Sequence, residues 1–147
     1  MVPISLHQLD PELPVPRYAH PDDAGADLFA RMDVHLEPGG GRALVPTGIV
    51  IAIPAGFAGL VLPRSGLALQ HGITCLNTPG LIDPGYRGEV SVLLVNTDPT
   101  TGYDVQRGDR IAQLVVMAFE QAAFNLVSAT ELSGSERGEG GFGHSGR

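Results

Sequence analysis

Residues able to do chemistry gather in five short segments of this chain, each separated from the next by apolar stretches. HPDDAGADLFA sets Asp22, Asp23 and Asp27 beside Gly25. Such a run is either a polar turn entering a strand or a place where Asp27 approaches a divalent metal through water, since Mg2+ keeps several waters and rests on phosphates and one or two carboxylates. PRSGLALQ places Arg64, Ser65 and Gly66 at the start of a predicted helical turn, with Ser65 as N-cap. Exposed N–H groups and a guanidinium suit a phosphate there; the plain alternative is a capped helix beside a solvated arginine. NTPGLIDPGYRGEV carries two turn signals, Pro79-Gly80 and Asp83-Pro84-Gly85, around Leu81 and Ile82, and predicts a tight hairpin with a polar tip. An acid at the end of a short apolar strand is held rigidly enough to act as a general base for water, with the flat ring of Tyr86 close by; otherwise the segment is a decorated turn. RGDRIAQLVV offers Asp109 and Arg110 as a surface ion pair, then Gln113 alone in an apolar row, where it needs a backbone or phosphate partner. RGEGGFGHSGR surrounds Phe142 with glycines between Arg137 and His144-Ser145. It is either a disordered end or an arm whose backbone approaches an anion while its ring stacks on a base.

The elements that position these segments are short strands. Apolar runs cut by Gly, Pro, Asn and Asp recur about every ten residues, the rhythm of an all-β sandwich or barrel. The predicted strands are 27–30, 34–36, 43–45, 48–53, 59–62, 73–76, 89–95 and 110–119, with one short helix after Arg64. In GIVIAIP, Ile49, Ile51 and Ile53 share one face by period-two alternation, with Val50 and Ala52 on the other, so this strand is expected to be covered on both sides. The N-terminal MVPISLHQL either pairs as an edge strand or trails free. The composition shifts abruptly after Ser133, which divides the chain into a domain over 1–133 and a mobile arm over 134–147.

Composition narrows the function. With 147 residues, 43% hydrophobic content, 17% charged residues, 20 glycines and 12 prolines, the chain fits one turn-rich domain. Its nine basic residues are all arginine, and a net charge of -7 argues against general nucleic acid binding. The single cysteine, Cys75, excludes an internal disulfide and reads as a buried thiol. The start lacks the pattern of a signal peptide and no stretch is long enough to span a bilayer, so no membrane association and a cytoplasmic location are expected. The histidines lack metal-ligand spacing, and neither GxSxG nor a Cys/His nucleophile pattern is present.

Taken together, AGADL, PRSGLA, GLIDPGYRGEV, RGDRIAQL and RGEGGFGHSG resemble, in order, the five motifs of the homotrimeric dUTPases (dUTP nucleotidohydrolases) and occupy most of the span from Ala24 to Gly146. The resemblance implies a jelly-roll-like β-barrel of the β-clip type, with one short helix and a flexible glycine-rich C-terminal arm. It implies a homotrimer with shared active sites: three motifs from one subunit, the hairpin from a second and the tail from a third. The reaction implied is Mg2+-dependent hydrolysis of dUTP to dUMP and pyrophosphate, which limits uracil incorporation into DNA and supplies dUMP for dTMP synthesis. Asp83 then matches the general base for in-line attack on the α-phosphorus. Tyr86 packs on the deoxyribose and leaves no room for a 2′-hydroxyl, while Asn77 and the backbone of Gly80, Leu81 and Ile82 read the uracil edge. Arg64, Ser65, Gly66 and Gln113 match phosphate contacts, and Asp27 the acid linked to the metal through water. In the arm, Arg137, His144 and Ser145 reach phosphates, Phe142 covers the base and Gly143 also belongs to the substrate-binding set.

Three rivals are weaker. A dCTP deaminase shares the fold and an IDPG-type hairpin, but its proton-transferring glutamate is replaced here by Leu93. A non-catalytic nucleotide-binding module is expected to lose the base or a phosphate ligand, and Asp83, Arg64, Gln113 and Arg137 are all present. A purely structural trimer has no use for the tail.

Overall fold

The computed structural model describes residues 1–132, 134, 135 and 138. In chain order the elements are β1 (Ser5–Gln8), β2 (Ala26–Phe29), β3 (Val34–Leu36), β4 (Arg42–Ala52), β5 (Phe57–Leu62), α1 (Ser65–His71), β6 (Ile73–Cys75), β7 (Gly80–Ile82), β8 (Glu89–Asn96), β9 (Tyr103–Val105), β10 (Arg110–Ala118) and a 3-10 turn at Ala129–Glu131. Two four-stranded sheets, β1-β4-β8-β6 and β2-β10-β5-β7, are joined by a β3-β9 ribbon, and every pairing is antiparallel. This is the all-β, jelly-roll-like architecture expected from the rhythm of turns.

Both sheets contribute to one core, in which Leu28, Leu36, Ile51, Ile73, Leu94 and Ile111 are among the largest fully buried side chains. The row Ile49, Ile51, Ile53 is buried as its period requires, and Val90, Val92 and Leu94 repeat the pattern on β8. Val50 and Ala52, on the other face, are only half-buried. Cys75 lies in the core, where burial pushes its thiol up to about 11 and keeps it neutral at ordinary pH.

Several expectations require correction. The strands expected at 43–45 and 48–53 form a single strand, β4, whose register against β8 shifts between Pro46 and Val50. Gly48 makes that irregularity possible: its φ is +74°, and a Cβ there would lie 3.1 Å from Asp10 Cβ. The N-terminal segment does pair, as edge strand β1 along β4 from Ser5↔Ala52 to Gln8↔Ile49. Its mostly exposed side chains give no apolar alternation to read. Nor do the three residues of β9.

The most consequential correction concerns residues 77–89, which do not fold back on themselves as a hairpin. Instead β7 pairs with β5 in one sheet, while β6 and β8 pair with each other in the other sheet. The chain therefore crosses between sheets twice. Ser65 is also not the N-cap: Arg64 holds that position with extended backbone and no side-chain cap bond, and α1 ends at Gly72 in the left-handed region with φ +66°.

One buried polar side chain ties the loops to this frame. Asn96 is fully buried; its amide donates to the carbonyls of Leu36 (3.1 Å) and Thr101 (2.9 Å), and its oxygen accepts from Asp98 N–H (3.0 Å). Asn96→Ala strands these groups and opens a cavity, so it is expected to destabilise the fold by about 2–4 kcal/mol. The denaturant midpoint measures this; a loss under about 1 kcal/mol would show that water replaces the amide.

Candidate active site

Register in the second sheet decides which sequence-flagged residues meet. Asp27 on β2 pairs with Gln113 on β10, and Gln113 pairs with Leu62 on β5, two residues before Arg64. Three of the five segments therefore converge across adjacent strands. They line a cleft of about 490 Å3 walled by Gly25, Asp27, Arg64, Ser65, Gly66 and Gln113, with Arg110 at its rim.

Its electrostatics turn on one carboxylate. Asp27 Oδ1 lies 3.4 Å from Arg64 Nε, and Oδ2 lies 3.3 Å from Arg110 Nη1. Arg64 Nη1 also donates to the carbonyl of Arg110 at 2.8 Å. One partly buried acid thus aims two guanidiniums at the same opening, with the start of α1 beside them, an arrangement suited to an anion carrying several oxygens. The expected Asp109–Arg110 pair is replaced: Asp109 Oδ2 accepts Gln106 N–H at 2.9 Å, while Arg110 turns to Asp27.

Gln113 has the partner that its apolar surroundings demand. Its Nε2 donates to the Pro63 carbonyl at 3.0 Å, which anchors the backbone just before Arg64. Gly25 makes room for its other end, because a Cβ at 25 would overlap Gln113 Oε1 and lie 3.0 Å from Cδ. In the same segment Asp23 closes a local turn, accepting from His20 N–H at 2.8 Å, as the turn reading of that run expects. Sequence reasoning left Arg110 and Gly25 out of the site; their place in it depends on cross-strand neighbours.

The residues around Asp83 stand elsewhere. Ile82 pairs with Gly59, so Asp83 leaves β7 near the start of β5, whereas Arg64 follows its far end, about 20 Å away at strand rise. Arg64 also points across β10 toward β2, away from β7. Asp83 is exposed on a turn closed by Tyr86 N–H to the Asp83 carbonyl at 3.1 Å. Arg87 Nη1 donates to the carbonyls of Pro84 and Tyr86, both at 2.6 Å, and staples that turn. Tyr86 and Ile82 line a second cleft of about 320 Å3 with Leu44, Leu81, Glu89, Val90 and Ser91, which shares no residue with the first. Asn77 is exposed, with its amide nitrogen near Gly80. One chain thus carries two clefts with separate linings. Arg137, Phe142, Gly143, His144 and Ser145 lie outside the described residues.

The model of the dUTPase family matches residues 11–146. The chain belongs to the dUTPase family. It is 58% identical over 145 residues to the deoxyuridine 5'-triphosphate nucleotidohydrolase of Thermobifida fusca, covering 99% of this chain and 79% of that protein. It is 54% identical over 143 residues to the Rhodococcus erythropolis enzyme of the same name, covering 97% and 85%. Among solved dUTPases, that of Staphylococcus bacteriophage 80alpha with dUPNHPP superposes with a TM-score of 0.87 at 29% identity, covering 99% of each chain. A phage phi11 dUTPase mutant described with a structural Mg(II) ion superposes at 0.77 with 25% identity, covering 88% of this chain and 99% of that one.

The fit of Gly25 against Gln113 yields a prediction for this dUTPase. Gly25→Ala should push the amide off Pro63 and loosen Arg64, lowering affinity for a non-hydrolysable dUTP analogue about fivefold, the worth of one hydrogen bond. Calorimetric titration measures it, and unchanged affinity would remove Gln113 from the anion cleft.

Proposed function

We propose that the protein hydrolyses dUTP to dUMP and pyrophosphate in sites shared between copies of the chain, with Asp83 of one copy acting beside Arg64, Ser65, Gly66 and Gln113 of another. Family membership supports the reaction. The observation that carries the shared site is the register that puts Asp83 and Arg64 at opposite ends of β5 within one chain, about 20 Å apart by strand rise, with the arginine turned toward β2. A base and its phosphate clamp must meet across a few ångströms to act on one phosphorus. Threefold assembly, with the arm over 134–147 closing from a further copy, satisfies that need.

In this reading Asp83 takes a proton from a water whose oxygen bonds to the α-phosphorus, as the bond from that phosphorus to the bridging oxygen of the leaving pyrophosphate breaks. Tyr86 packs on the deoxyribose, and Asn77 with the backbone of Gly80, Leu81 and Ile82 reads the uracil edge. Arg64, Gln113 and the N–H groups at Ser65 and Gly66 hold the triphosphate oxygens. In the arm, Arg137, Gly143, His144 and Ser145 add phosphate contacts and Phe142 stacks on the base. Phosphoryl chemistry of this kind rests mainly on positioning and charge.

The donor set bears on the metal. Among the described residues no group of three or more His, Cys, Asp or Glu side chains converges, and both Asp27 oxygens face arginines. Such residues do not suit an all-protein cage; they suit a hard cation that keeps its waters and arrives on phosphates, with Asp27 touching its water shell. When bound, Mg2+ supplies neutralisation of phosphate charge. Among the described residues no helix is long and apolar enough to cross a membrane. A cytoplasmic role in limiting dUTP and supplying dUMP belongs to the same reading.

Leu93 argues against deamination, since it pairs with Leu44 on β4 and neither side chain can relay a proton. With Mg2+ and separate dUTP, dTTP, UTP or dCTP, pyrophosphate is expected from dUTP alone; ammonia from dCTP would overturn the assignment. Asp83→Asn should lower kcat by about 10²–10⁴. Co-expressed Asp83→Asn and Arg64→Ala chains should recover activity that neither variant has alone, whereas a site built within one chain predicts no recovery. Cutting after Ser133 should leave an assembled protein that turns over dUTP far more slowly.

A further inference from the structure

The described chain gives Tyr86 a seat that depends on the absence of one atom. Its hydroxyl donates to the Glu89 carbonyl at 3.0 Å, and the outer edge of its ring lies over the backbone of Gly88. A Cβ at 88 would overlap that hydroxyl and lie 2.6 Å from Cζ and 3.0 Å from Cε2. Gly88 does not carry the positive φ seen at Gly48 or Gly72. The space a side chain would need is taken by the ring.

The acceptor that holds the ring is itself fixed. Glu89 opens β8 and pairs with Val50; its Oε1 accepts Gly48 N–H at 2.8 Å and sits 3.3 Å from Arg31 Nη1. The ring is thereby tied to the sheet at its tip, through Glu89, and at its root, through the turn that Arg87 staples. Yet Tyr86 remains 44% exposed, with surface left open to a ligand. A ring held at both ends against bare backbone is a wall that does not yield.

We propose that Gly88 is a specificity-determining residue: it lets the Tyr86 hydroxyl reach the Glu89 carbonyl, and the fixed ring makes an added 2′-hydroxyl on the sugar intolerable. The inference rests on the reading of Tyr86 as the deoxyribose platform. Excluding one hydroxyl by shape requires a wall that cannot move by an ångström, because a pocket that relaxes accommodates the larger ligand. With a methyl group at 88, what gives way is the far end of the ring, so the fold should persist while the wall swings. Gly88 acts through Tyr86 and is a positioning residue, as is Glu89 through its carbonyl.

The test is the ratio of kcat/KM for dUTP to kcat/KM for UTP, measured on the assembled protein with Mg2+ for wild type, Gly88→Ala, Tyr86→Phe and Tyr86→Ala. Gly88→Ala is expected to lower the ratio at least tenfold, and Tyr86→Phe, which removes only the tethering oxygen, about threefold. Tyr86→Ala should lower it most. If Tyr86→Ala leaves the ratio unchanged, the platform reading fails and the inference falls with it. If Tyr86→Ala lowers it while Gly88→Ala and Tyr86→Phe do not, the platform stands and the seat is refuted. Equal losses on both substrates in Gly88→Ala mean a merely structural glycine and also refute it. Should Gly88→Ala not assemble, Tyr86→Phe decides alone.

Discussion

The pairing of β7 with β5 is the constraint on which the rest of the site depends. Three backbone-paired positions, Gly59↔Ile82, Leu60↔Leu81 and Val61↔Gly80, fix where Asp83 emerges. Because the strands run antiparallel, each residue gained toward Asp83 moves it farther from Arg64 at the other end of β5. Burial of Gly80 and Ile82 with Leu81 exposed locks the register, since a slip of one residue would turn Leu81 inward and both neighbours out. The separation of Asp83 from the cleft that holds Arg64 is therefore a consequence of antiparallel pairing.

Charge organises the molecule in two knots with different tasks. In one, Asp27 holds Arg64 and Arg110 beside the first cleft. In the other, Asp10 receives Arg107 at 2.9 Å and lies 3.8 Å from Arg31, which reaches on to Glu89. Exposed pairs add little stability singly. As a network, the second knot fastens the N-terminal segment and the turn before β10 to the start of β8, where the carbonyl that holds Tyr86 is found. Arg31, Arg64, Arg107 and Arg110 thus each meet an acid, and where Arg64 and Arg110 share one, guanidinium surface remains for a polyanion.

Much of this was legible in the sequence, for physical reasons that can be named. The isoleucines of GIVIAIP announced a strand because burial of one face imposes period two, and they are buried. Gln113 announced an unmet hydrogen bond because an amide in an apolar row needs a partner, and Pro63 provides it. The failures were equally specific. Two turn signals four residues apart suggested a hairpin, since turns encode reversal of the chain but not the strand that will receive it. Ser65 suggested a cap by composition, yet the extended backbone at Arg64 takes that position. Strands β1 and β9 are too short or too exposed to leave a pattern.

By itself, the sequence determined the all-β class, the order of the five chemical segments and the family, because these rest on local turn chemistry, apolar periodicity and residue identity. Only the tertiary structure decided that Asp27, Arg64 and Gln113 share one cleft, that Asp83 lies outside it, and that the Tyr86 ring packs where a side chain at Gly88 would stand. Each of these is a relation between residues on paired strands or across a turn. Pairing partners and registers are chosen by the burial of whole sheets, a collective quantity that no short stretch of sequence contains.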